Sequence, residues 1–143
     1  MDKQIEATMK QAFYDLLEEN TNSEKPDYDW MVRLYSEIKL TLLYYLKKDS
    51  KTYKEIDGNF DVDLFSQMIQ ADVFSGDSML KLVENTFYWI KQLGAPVRDK
   101  DIDMAKERVL QSPLNKIISV FLKETHDCLS LYDQDMKDFI NKK

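Results

Sequence analysis

One histidine and one cysteine stand two residues apart in this chain, His126 and Cys128. As a pair they would suit a thiol nucleophile with its base, or half of a zinc site. Residues two apart on a helix point to different sides, so the pair does not converge. With no second histidine, His-based triads and the common zinc sites lack their parts. Cys128 then reads as a small core residue. A second stretch, Asp57-Gly58-Asn59-Phe60-Asp61-Val62-Asp63, sets oxygen-bearing side chains at alternate positions as a calcium loop does. The position that such a loop gives to glycine holds Val62, and the one that closes it with glutamate holds Met68. Calcium is therefore not expected, and Asp61 reads as a helix N-cap. No glycine-rich phosphate loop is present. No cofactor, no metal and no catalytic residue is expected.

The remaining chemistry lies in Gly94-Ala95-Pro96-Val97-Arg98-Asp99. Gly94 suits a left-handed helix close, and Pro96 forbids continuation while pushing Ala95 towards an extended conformation. Lys91 sits where a cation suits the helix dipole. Asp99 is expected to cap the next helix. Arg98 stands where two helix ends meet. Its planar fork suits helix-end carbonyls or a neighbouring carboxylate, which makes it first a structural clamp; the alternative is a partner's acidic or phosphorylated group. Pro96, Arg98 and Asp99 are thus candidate contact or structural clamp residues. Trp89, off the face formed by Leu80, Val83, Phe87 and Ile90, reads first as packed in the core against a further helix, and otherwise as the candidate aromatic anchor for a partner.

Helices must position these groups, because apolar residues recur at three- and four-residue steps and nowhere alternate for long. The first helix is expected over 3–20, with Ile5, Met9, Phe13, Leu16 and Leu17 as its apolar face. The second, over 28–48, is lined by Met31, Leu34, Tyr35, Ile38 and Leu42. Val32, Leu40 and Leu43 widen it, so it should be central. Residues 49–59 read as a connector with a short turn around Tyr53 to Ile56. A third helix spans 62–71, with Phe74 packing back after it and a turn at Ser75-Gly76-Asp77-Ser78. A fourth runs over 78–93 and a fifth over 100–111. Ser112-Pro113 reads as the start of a long terminal helix to about Asn141, with a break near Ser130 as the alternative. The fold class is all-α: a single-domain bundle of six or seven helices over residues 1–143, with a long C-terminal helix.

The net charge of −6 argues against nucleic acid and against an anionic membrane surface. A single cysteine permits no intrachain disulfide. The polar start Met1-Asp2-Lys3-Gln4 has no signal-peptide pattern, and the apolar run Leu40 to Leu46 is too short to span a bilayer. These features lead to the expectation of a soluble, cytoplasmic protein.

Ala95-Pro96-Val97-Arg98-Asp99 also resembles the Ala-Pro-Val-Arg-Asp signature of the T-complex protein 11 family. In the same order, Lys10 to Leu17 resembles the family's Lys-Ala-Phe-aromatic-Asp segment. Pro26-Asp27-Tyr28 with Leu34 and Glu37-Ile38-Lys39 resembles its Pro-Asp-Tyr helix. Asp61-Val62-Asp63-Leu64 resembles its Asp-x-Asp-Leu opening. The match covers about Lys3 to Leu110, and more loosely the rest. Gly94 stands where the family often has cysteine. Cellular members are much longer, so the resemblance leads to the expectation of a short member or an excised domain. The resemblance implies an all-helical, non-enzymatic interaction module. It implies a regulator or adaptor linked to cyclic-AMP/protein kinase A signalling, with protein partners from that pathway. The alternative is a self-associating structural protein, a homodimer seamed along the C-terminal helix.

Overall fold

A computed structural model describes residues 2–71 and 76–142. Among the described residues there are seven α-helices and no strand. They are α1 (Lys3–Thr21), α2 (Tyr28–Tyr44), α3 (Lys51–Asn59), α4 (Val62–Gln70), α5 (Gly76–Leu93), α6 (Asp99–Leu110) and α7 (Ile117–Asn141). A 3-10 turn, Pro96–Arg98, joins α5 to α6. The expected packing of Phe74 and the turn at Ser75 lie outside the described residues. No helix among the described residues is long and apolar enough to cross a membrane.

Two helices organise the bundle. α7 packs against α1, α2, α5 and α6, and α2 packs against α3, α4, α5 and α7. The apolar face of α2 is buried as its spacing predicts, with Ile38 and Leu42 fully enclosed. Leu40, however, points to solvent, because the wider stripe exceeds what its neighbours cover. From α7, Phe121, Leu122 and Leu129 fill the centre, where Phe87, Val83 and Val109 meet them in one continuous core. Removing such side chains from water is the main term that holds helices of this length together.

Local chemistry explains most boundaries. Asp27, Ser50 and Asp61 each accept from the backbone N–H three residues on, so each is an N-cap. The cap at Ser50 opens a helix where a connector was expected. Ile56 and Phe60, both fully buried, anchor its inner side, and α2 stops at Tyr44 rather than near Lys48. The terminal helix begins at Ile117 rather than Pro113. Ser112 does not cap it: its hydroxyl donates to the Arg108 carbonyl at 2.7 Å and closes α6. Pro113 instead starts a turn closed by the Lys116 N–H on its carbonyl. There is no break at Ser130, and α7 runs unbroken for 25 residues.

Candidate interaction surface

The elbow between α5 and α6 is held by ion pairs within the chain. Arg98 donates from Nε and Nη2 to the two carboxylate oxygens of Asp135 on α7, both at 3.0 Å. This is the bidentate fork that suits guanidinium and carboxylate. It holds the Asp135 carboxyl below the usual carboxylate range. Lys91 at the end of α5 donates to Asp103 of α6 at 3.0 Å. Pro96 opens the 3-10 turn after an extended Ala95. Asp99 departs from its expected role: it is the first residue of α6, in helical conformation, and makes no side-chain cap. Gly94 also departs, for it is not left-handed. A Cβ there would lie 2.9 Å from the Ile90 carbonyl oxygen, so close approach is what requires glycine.

Trp89 is 8% exposed and packs in the core, as the first of its two readings had it, and not as a surface anchor. Its neighbour Tyr88 takes the outer position and meets it edge-on at 5.0 Å. The 100° step between consecutive helical residues turns Tyr88 outward between the buried Phe87 and Trp89.

His126 and Cys128 are both set back in the bundle. The Nε2–H of His126 donates to the Leu34 carbonyl at 3.2 Å, and burial lowers the imidazole's pKa. Burial, then the charges of Glu124 and Asp127, push the Cys128 thiol up to about 12. A groove of about 640 Å³ opens between α2 and α7, lined by Leu40, Tyr44, Tyr45, Ser130 and Ile140 among others. At its side Tyr45 donates its hydroxyl to Asp133 at 2.6 Å, and Lys137 pairs with the same carboxylate at 2.8 Å. That hydrogen bond, with burial behind it, pushes the Tyr45 phenol up to about 12.

The surface that sequence reasoning missed lies on α1. Its inward face is Tyr14 and Leu17, packed on the bundle beside α7, with Lys10 paired to Asp127 of α7. The residues expected to form its core face, Leu17 apart, are turned outward: Ile5, Met9 and Leu16 are 51%, 59% and 59% exposed. Ala12 completes the row, also exposed. Phe13 lies at its edge, with its ring 5.5 Å from that of Trp30. Tyr14 and Leu17, three residues apart, were the available signal of a second face.

No solved structure matches this chain. The family model for T-complex protein 11 matches residues 1–139. The all-helical fold, the Ala-Pro-Val-Arg-Asp elbow and a match over nearly the whole sequence lead to one assignment: the chain belongs to the T-complex protein 11 family.

Proposed function

We propose that this chain is a non-catalytic helical interaction module, a cytoplasmic regulator or adaptor in cyclic-AMP/protein kinase A signalling. The observation that carries the reading is the outward row of α1, where Ile5, Met9, Ala12 and Leu16 form an apolar stripe beyond the bundle's own packing. Large apolar side chains grouped on a surface carry a cost in water that a partner removes. A non-catalytic role is supported by Cys128, whose buried thiol is no ready nucleophile, and by His126, whose Nε2 is engaged by backbone. The link to the kinase rests on the family resemblance.

Biolayer interferometry with purified regulatory and catalytic subunits of protein kinase A tests this reading. The wild-type chain should bind one of them, and Met9→Glu and Leu16→Glu should weaken binding at least about tenfold, as loss of a hot spot does. Their melting should be unchanged, because both positions are exposed. Failure of the wild type to bind either subunit would remove the kinase assignment. Equal binding by wild type and both variants would remove the stripe.

A second reading is self-association along α7, favoured by its last turns, where Phe139 and Ile140 are 56% and 51% exposed. Light scattering at several concentrations decides it: a mass that stays at one chain would eliminate the dimer.

A further inference from the structure

We infer that the outward stripe of α1 receives a cationic amphipathic helix of a partner protein. The inference rests on the interaction-module reading and names the chemistry of the partner. Ile5, Met9, Ala12 and Leu16 follow one another at steps of four, three and four residues. That is the spacing with which one helix presents a continuous seam to another. At 1.5 Å per residue the seam is about 17 Å long, or three turns. A groove-filling loop would not need such a register; a helix of similar length does. Ala12 in the middle lets the two backbones approach, and the larger Met9 and Leu16 flank that point.

Charge selects among helices. Asp2 and Glu6 border one edge of the stripe, and Asp15 and Glu19 border the other, all exposed. By helical geometry the two lysines of α1, Lys3 and Lys10, lie round towards the inward face, and Lys10 is paired with Asp127 of α7. Asp2 also caps the helix through the Gln4 N–H, and Asp15 accepts from Gln11, so both carboxylates keep a fixed place. The seam is therefore apolar along its centre and acidic on both sides, in a chain of net charge −6. A second copy of α1 would bring the same acidic borders and meet like charge, which opposes association. Lysine or arginine beside an apolar seam on the incoming helix would be complementary on both edges and would speed encounter.

Fluorescence anisotropy with the full chain and two labelled synthetic peptides tests this. Both are helices of about 18 residues with the same leucine seam. One carries lysine and the other glutamate at the flanking positions. The lysine peptide should bind, and its affinity should fall several-fold between about 50 and about 300 mM NaCl. The glutamate peptide should bind at least tenfold more weakly. Leu16→Glu and Met9→Glu should each abolish binding of the lysine peptide, and Glu6→Lys with Glu19→Lys should shift preference towards the glutamate peptide. Equal affinity for the two peptides would overturn the inference, as would lysine-peptide binding unchanged by both stripe variants. Binding of neither peptide, with a kinase subunit still captured through Leu16, would overturn it while leaving the interaction-module reading intact. A wild-type dimer dissolved by Leu16→Glu would overturn it by assigning the stripe to a second copy.

Discussion

Removing Arg108 should cost this fold more than neutralising its partner. Arg108 near the end of α6 donates from Nε and Nη2 to both carboxylate oxygens of Glu124 on α7, each at 2.9 Å. The two side chains are unequally placed: that of Arg108 is 54% exposed and that of Glu124 only 11%. Arg108→Ala leaves a carboxylate that is nearly enclosed and without its fork. Breaking a fully buried pair costs about 3–5 kcal/mol, but the opening left by a half-exposed arginine admits water, so about 1–3 kcal/mol is expected. In a chain of this size that is a fall of roughly 3–9 °C in Tm. Glu124→Gln keeps the size and one acceptor oxygen, and the half-exposed guanidinium turns to water, so about 1 kcal/mol or less is expected. Replacing both, as Arg108→Met with Glu124→Leu, should recover most of the Arg108→Ala loss, since the buried charge is gone. Urea unfolding followed by far-UV circular dichroism measures all three. A cost for Arg108→Ala below about 0.5 kcal/mol, or a larger cost for Glu124→Gln than for Arg108→Ala, would refute the reasoning.

Trp89→Ala should destabilise by about 3–5 kcal/mol, because it empties core volume, whereas Tyr88→Ala should change the urea midpoint little; the reverse order would return Trp89 to the surface. Gly94→Ala should destabilise by about 1 kcal/mol or more, read from the same unfolding curves, since its Cβ meets the Ile90 carbonyl and no flexible side chain can yield. Asp135→Asn should lower Tm at neutral pH. The folded pKa of Asp135 is depressed, so its contribution is present above the unfolded carboxylate value near 4 and is lost as pH falls through the lower folded value. The Tm gap between wild type and Asp135→Asn should therefore narrow below about pH 4; a gap that widens with acid would contradict the pairing.

The helices were legible because their apolar residues keep helical spacing and because aspartate and serine caps stand at their starts. α6 shows this well: Ile102, Ala105 and Val109 stand at three- and four-residue steps and are buried. Three features were not legible, each for a physical reason. α3 carries few apolar residues and a glycine, so its pattern is weak, and the burial of Ile56 comes with its packing on the bundle, where α3 meets α2. Ser112-Pro113 has the same text as a helix start, yet the serine hydroxyl turned back to the preceding helix, a choice set by the corner's packing. There Asn22 donates to the Asn115 carbonyl at 2.8 Å, ninety-three positions away in sequence. α1 has apolar residues on two sides, and local periodicity cannot say which side meets α7.

The elbow was legible as an elbow but not in its partner. Nothing near Arg98 in sequence names Asp135, thirty-seven positions on, which α7 carries into reach only once the bundle forms. The position of Arg98 and the bidentate chemistry of its side chain were readable, and the acid that uses them was not. The outward stripe was hidden for the opposite reason: its residues were seen, and their spacing suggested core.

Hydrogen exchange of the full chain, alone and with the protein kinase A subunit or the lysine-flanked peptide, tests most directly whether α1 is the contact surface. Added partner should slow exchange of the amides over 3–21 and leave those of α3 and α4 unchanged. Protection confined to α2 and α7 around their groove, with α1 exchanging as before, would contradict it.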